Sequence, residues 1–318
     1  MATRDAQELE TAIIGEGGAV SAVRSHGQWL AHPQGKAVAE LGLMDFDASA
    51  DEPNDTRLDQ LRSPGPLPCS GLRVLDLTRV IAGPVATRML AALGAQVLRI
   101  DPPAMPELEL SVLDGMVGKR SATLDLRAAV DRETFERLLP DADVVVQGYR
   151  PGALAALGLD ARALKQRHPH LVTVTLSAWG ETGPWAERRG FDSLVQAACG
   201  IALACGTGGE PGALPVQALD HATGYLIAAA VQRGLTQRVR TGNAAHTQLA
   251  LTRTAAWVID QSADDTPVGE IDAEPYLVEV PSLAGPLRCL APPGMLDGKP
   301  LAWPSGVPAV GSDVPHWH

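Results

Sequence analysis

The sequence predicts an α/β fold: a Rossmann-like, largely parallel sheet with flanking helices, preceded by an N-terminal helical arm and followed by an extended C-terminal segment. Two observations carry that expectation. From Gly71 onward, short runs of Val, Leu and Ile alternate with stretches of helical periodicity, the pattern of β-α-β units joined by right-handed crossovers. The chain is also 45% hydrophobic and 20% charged over 318 residues, enough apolar surface to bury a sizeable core.

The opening unit is the most legible. Leu72 to Leu77 reads as a buried strand bounded by Gly71 and stopped by the polar Thr78-Arg79 turn. Pro84 sits where a helix begins, Val85, Met89, Leu90 and Leu93 recur at helical spacing, and Gly94 falls where a left-handed cap ends it. Gln96 to Ile100 supplies the next strand. The unit has neither G-x-G-x-x-G nor G-x-x-x-x-G-K-[ST], so dinucleotide and phosphate-loop readings are unsupported. Strands then follow at Ser121 to Leu126, Asp143 to Gly148 and Leu171 to Trp179, separated by helices at Asp131 to Leu139 and Ala161 to His168. A helix from Phe191 to Ala204 leads to the glycine-rich turn Cys205 to Gly209 and a short strand, Val216 to Leu219. The next helix begins near His221, and His246 to Leu251 adds a strand before a helix from Thr254 to Gln261.

Three regions are expected: residues 1–68 as arm and linker, 69–262 as the α/β domain, and 263–318 as a proline-rich segment returning to it. Within the first, Ala6 to Ile14 and Ser21 to Ala31 show helical patterning, and Asp45 to Pro68 is an acidic, proline-containing linker. The last fifty or so residues have little periodicity and read as extended chain.

A net charge of −11 argues against a nucleic-acid partner. Cys69, Cys199, Cys205 and Cys289 form no C-x-x-C pair and read as free thiols of a reducing cytoplasm, with no metal site. The first residues lack the layout of a secretory signal, and no apolar run reaches the ~20 residues of a membrane helix.

Asp220 lies between the short apolar strand and the helix after it. One reading is an N-cap whose carboxylate accepts a backbone N–H of the first helical turn. The other is a nucleophile held at the ligand-bearing edge of the sheet, where the helix N-terminus favours an anion. The spacing alone leaves both open.

Several segments, in this order, carry a resemblance: Leu-Asp-Leu-Thr-Arg-Val-Ile-Ala-Gly-Pro (75–84), Gly-Lys-Arg-Ser-Ala-Thr-Leu-Asp-Leu (118–126), Tyr-Arg-Pro-Gly-Ala-Leu (149–154), Gly-Phe-Asp (190–192) and the Asp220 segment. Together they resemble the family III CoA transferases (CaiB/BaiF), which include formyl-CoA transferase and α-methylacyl-CoA racemase. The resemblance implies that Asp220 matches the family's nucleophilic aspartate, with an acyl-CoA and a small carboxylic acid as substrates and a homodimer as the assembly. It implies coenzyme A as the ligand, with Val80, Ile81, Gln147, Gly148 and Tyr149 as pantetheine and adenine pocket candidates and Phe191 beside them. Lys119, Arg120, Arg150, Arg188 and Arg189 are the basic candidates for its phosphates, each otherwise a solvated surface charge.

The sequence departs from the family in three ways. A glutamine of formyl-CoA transferase matches Ile81, and basic CoA contacts match Pro102 and Ala156. The racemase histidine matches Phe191, which cannot move a proton. Only some thirty residues stand where the family carries a small domain, while Trp29 to Gly35 resembles a piece of it. The leading expectation is an acyl-CoA:carboxylate CoA-transferase. The alternatives are a catalytically weak CoA-binding or regulatory homologue and a family III acyl-CoA lyase or isomerase. His221 reads as structural, and Asp192 as a cap of the helix it opens.

Overall fold

A computed structural model describes residues 4–47, 65–261, 269 and 271–317. Most of the expected linker from Asp45 to Pro68, and the expected junction at 262–263, lie outside the described residues.

Seven strands form the central sheet: β1 (Asp45–Asp47), β2 (Arg73–Leu77), β3 (Gln96–Asp101), β4 (Arg120–Thr123), β5 (Val144–Gln147), β6 (Val172–Ser177) and β7 (His246–Ala250). Their order is β1-β7-β6-β5-β2-β3-β4, with every pair parallel except the β1–β7 edge. The parallel part is doubly wound: the chain steps from β2 outward to β3 and β4, then returns to the other side of β2 for β5, β6 and β7. In sheets of this kind the reversal, here at the carboxyl ends of β2 and β5, is where a ligand crevice forms. β1 was read as linker, since three residues carry too little pattern to register; pairing with β7 is what makes them a strand.

Period-2 alternation in the central strands sorts side chains onto two covered faces. Val74, Val97, Val144, Val146 and Val174 pack against α4 (Ala82–Ala92) and α10 (Ala218–Thr241), while Leu75, Leu77, Leu98, Ile100 and Val145 meet Phe135 of α6 (Ala129–Glu136) and Leu164 of α7 (Ala161–Arg167). α10 lies close to its neighbours because of two glycines. A Cβ on Gly224 would stand 2.7 Å from the Ala82 carbonyl, and one on Gly234 2.7 Å from Val172.

The structure corrects three expectations. Val216 to Leu219 is not a strand: Pro215–Gln217 forms a single 3-10 turn, and α10 begins at Ala218. A four-residue run with three apolar positions was ambiguous, and here it feeds a helix rather than a ladder. The helix from Phe191 to Ala204 is two, α8 (Asp192–Cys199) and α9 (Ile201–Ala204), broken at Gly200 with φ 98°. A side chain there would meet the His26 backbone at 2.4 Å, so the break makes room for α2 (His26–Ala31). The C-terminal segment contains a hairpin, β8 (Leu277–Ser282) with β9 (Gly285–Leu290). It then crosses back, and Asp313 accepts from Arg120 Nε at 3.1 Å and from the Ser121 N–H at 3.0 Å.

Of the arm's helices α1 (Ala6–Gly15), α2 and α3 (Pro33–Ala39), the last two pack on the loop between β6 and α8. Gln34, fully buried, donates to the carbonyls of Trp179 and Thr182 at 2.8 Å and accepts from the Trp185 N–H at 2.7 Å. Glu10 and Arg24 form a buried ion pair at 2.6 Å. Among the described residues no helix is long and apolar enough to cross a membrane.

A second buried ion pair sits under the crevice. Lys119 Nζ lies 2.9 Å from Asp76 Oδ2 and 2.5 Å from the Thr87 hydroxyl, with both ion-pair side chains wholly shielded from solvent. Burial alone would raise the Asp76 carboxyl; Lys119, Arg99 and the hydroxyls of Thr78 and Thr87 hold it below the ordinary value instead. Lys119→Met is expected to destabilise the fold by about 3–5 kcal/mol, because it strands a buried carboxylate. Lys119→Met combined with Asp76→Leu is expected to recover part of that loss in denaturant unfolding. A double variant no more stable than the single would remove the ion pair from this role.

Candidate functional site

The crevice is built first by the turn after β2. Thr78 donates its N–H at 2.9 Å and its hydroxyl at 2.5 Å to Asp76 Oδ1, so the strand's own aspartate bends the chain back as it leaves the sheet. Val80 follows with φ 70°, a left-handed conformation that a β-branched residue disfavours. α4 starts immediately after Ile81, which provides no side-chain cap. Gly83 comes so near Thr78 that a Cβ would stand 2.2 Å from its side chain, which fixes glycine at the first turn.

The other wall is the end of β5. Leu77 and Gln147 are ladder partners, and the Gly148 N–H donates to the Leu77 carbonyl at 3.1 Å. Gln147 Oε1 accepts the Tyr149 N–H at 3.1 Å. Tyr149 is partly buried against the core, and burial raises its phenol above the usual value.

Asp220 reaches this edge on the first turn of α10. α10 and α4 run in the same direction, both leaving the carboxyl edge, and Gly224 seats α10 against Ala82 and Val85. Asp220 is the third residue of α10, and Gln217 takes the cap position, with φ 54°. The N-cap reading of Asp220 is therefore corrected. Its side chain is free of that duty because another residue performs it: Asp192 Oδ2 accepts the Asp220 N–H at 2.9 Å. The expectation that Asp192 caps its own helix is corrected likewise, since it opens α8 yet serves α10. Its second oxygen accepts from Gln196, whose own Oε1 accepts the Leu214 N–H at 2.8 Å. Val216 and Gln217, both at positive φ, complete the lead into the helix.

Asp220 as a residue is 7% exposed. Among the described residues no hydrogen-bond donor reaches its carboxylate. Burial, and then the Asp192 charge, push its carboxyl up to about 7. A buried carboxylate without a protein partner and with a raised pKa is a candidate functional group.

Val80, Ile81, Gln147, Gly148, Tyr149 and Asp220 thus gather at one edge, with Phe191, 44% exposed, beside Asp192. Arg150 and Arg189 are exposed in loops, and the Arg188 guanidinium stacks 4.4 Å from the Trp185 ring centroid. Two basic candidates are corrected. Lys119 is interior, committed to Asp76 and Thr87, and Arg120 is held by Asp313 and by the carbonyls of Val314 and His316 at 3.0 and 2.7 Å. Neither presents a free cation to a phosphate. Glu107 and Gly224 escaped the sequence reading, as neither belongs to a local pattern that distinguishes it. His221 is half-buried, and burial, with Arg88 nearby, lowers its imidazole below the usual value. No group of three or more His, Cys, Asp and Glu among the described residues is arranged to hold a metal.

The profile of CoA-transferase family III matches residues 69–276. The probable fatty acyl-CoA transferase Rv3272 of Mycobacterium tuberculosis is 36% identical over 198 residues, covering 58% of this chain and 50% of that protein. Its crystal structure superposes with a TM-score of 0.57 at 35% identity, over 60% of this chain and 57% of that one. The succinate–glutarate CoA-transferase of Agrobacterium fabrum is 32% identical over 203 residues, 58% of this chain and 51% of that one. A CAIB/BAIF family protein from Brucella suis superposes with a TM-score of 0.54 at 29% identity, over 69% and 65% of the two chains. The chain spans about half the length of the curated relatives it matches. With the family profile covering most of the chain and these folds superposing on it, the protein belongs to CoA-transferase family III.

Proposed function

We propose that the protein is an acyl-CoA:carboxylate CoA-transferase working through a covalent aspartyl intermediate at Asp220. The observation that carries this reading is the buried, unpartnered Asp220 carboxylate at the first turn of α10, beside the switch-point crevice. The relatives named for CoA transfer support it. The same proposal has Val80, Ile81, Gln147, Gly148, Tyr149 and Phe191 lining the CoA site, Arg150 and Arg189 meeting its phosphates, and the chain acting as a homodimer.

In the first step the Asp220 carboxylate attacks the thioester carbonyl; the C–S bond breaks, and a mixed anhydride and CoA thiolate result. The thiolate then attacks the aspartyl carbonyl, releasing the donor carboxylate and leaving an aspartyl-CoA thioester. An acceptor carboxylate attacks that thioester and expels the thiolate again, forming a second mixed anhydride. Attack of the thiolate on the acceptor's carbonyl releases the new acyl-CoA and restores Asp220. Thioester energy is conserved without ATP. The N-terminus of α10 favours the anionic nucleophile, while burial and Asp192 keep it weakly solvated and basic enough to attack.

Asp220→Asn is expected to fold, to lose transfer, and to lose the hydroxylamine-sensitive CoA adduct that wild-type protein forms on the Asp220 peptide. Mass spectrometry of the labelled peptide checks this. Retained transfer, or an adduct elsewhere, would return Asp220 to a structural role and favour a CoA-binding homologue.

The same group predicts two pH dependences. Because the attacking form is the anion, kcat/KM is expected to rise with pH along a limb centred near the carboxyl's value of about 7. Its folded-state value lies above the ordinary 3.8, so the folded state binds this proton more tightly than the unfolded one, and Asp220 lowers stability as pH rises between those values. Asp220→Asn is therefore expected to be more stable than wild type at pH 8, by on the order of 2 kcal/mol, with the difference fading toward pH 4. Equal stability at both pH values would refute the buried-charge argument.

By the resemblance Phe191 matches the racemase histidine, and a phenylalanine cannot serve as a second base. No deuterium is expected at the α-carbon of a 2-methylacyl-CoA incubated with the protein in heavy water. Rapid uptake without an acceptor, read by proton NMR, would revive the racemase reading.

A further inference from the structure

We propose that Glu107 is a positioning residue for the CoA pocket, its carboxylate holding Val80 in the left-handed conformation that turns β2 into α4; this rests on the CoA-transferase reading of the crevice. Val80 is a β-branched residue at φ 70°, and it remains 39% exposed. Its side chain is thus only partly packed, and the strain is not offset by full burial. A strained backbone with an exposed side chain persists only where neighbouring groups hold it.

The holding groups come from the segment after β3. The Val80 N–H donates to Glu107 Oε1, and Arg99 Nη2 donates to Glu107 Oε2. Arg99 is fully buried and also pairs with Asp101 at 2.8 Å, while the Glu107 side chain is only 6% exposed. Glu107 thus cannot swing outward without taking one of two carboxylate partners from an interior guanidinium. Arg79, next to Val80, reaches across in the opposite sense to the carbonyls of Met105 and Pro106, the latter at 3.0 Å. The two loops are laced together on both sides of the strained residue.

What the lacing positions is the carboxyl edge itself. Val80 and Ile81 follow β2 just past its last pairing with β5, Leu77 with Gln147, and Ile81 brings no side-chain cap to α4. The start of α4, and with it the surface that Gly224 of α10 packs against, takes its place from the turn before it. Glu107 acts through that turn and does not touch the reacting atoms.

Glycine adopts φ 70° without strain, which provides the test. Glu107→Gln has the same shape but a single acceptor oxygen for two donors, Arg99 and the Val80 N–H. Titration calorimetry with free coenzyme A is expected to show affinity falling at least tenfold for Glu107→Gln alone, and less than threefold when the same change is made in a Val80→Gly background. KM for an acyl-CoA is expected to follow, with kcat changing less. Equal losses in both backgrounds, or no loss in either, would overturn the role of Glu107 while leaving the transferase reading intact. A wild-type protein that binds no coenzyme A would overturn that reading and the ligand named here together. Should Glu107→Gln fail to fold, the cycle is run with Glu107→Asp, and the same outcomes decide it.

Discussion

The structure depends most on the buried carboxylate of Asp76 beneath the crevice. A charge with no solvent access must be neutralised or hydrogen-bonded on every side, and here each partner comes from a different element. Thr78 lies in the turn after β2, Thr87 in α4, Lys119 just before β4, and Arg99 adds its charge from β3. One side chain thereby fixes how strand, turn and helix meet at the switch point. It also removes Lys119 from the surface, where a basic residue in a loop at a strand end would otherwise be read as a phosphate ligand.

The same logic recurs one layer out. Asp192 serves α10 rather than α8, and in doing so frees the Asp220 side chain from the cap it would otherwise provide. A helix start has N–H groups that need acceptors. When a neighbouring helix supplies one, the local carboxylate is left without that partner, and burial, with the neighbour's charge, raises its basicity. Gly224 then decides where that carboxylate stands, since it lets α10 approach the first turn of α4 to backbone contact.

The arm takes part in this arrangement through packing. Trp29, Trp179 and Trp185 interlock, and Gln34 satisfies backbone groups of the loop that leads to Phe191 and Asp192. The break at Gly200 accommodates α2. The loop carrying the Gly-Phe-Asp segment is therefore supported from a part of the chain more than a hundred residues away in sequence. The strap ending near Asp313 does the corresponding work at β4, where it occupies Arg120.

Periodicity and punctuation determined the α/β class, the opening β-α-β unit and the parallel strands from β2 to β7, because a strand buried on both faces and an amphipathic helix each write their environment into local spacing. The motif order likewise marked the family that the profile over residues 69–276 shows. The spacing could not say whether Val216 to Leu219 pairs or coils, since a four-residue run with three apolar positions satisfies either state until neighbours are present. Nor could it separate Lys119 and Arg120 from solvated cations, or pair Asp192 with a peptide N–H 28 residues on. Those outcomes rest on which charges and amides meet after the sheet has assembled. Burial and electrostatic pairing are properties of the packed chain, whereas periodicity is already present in its sequence.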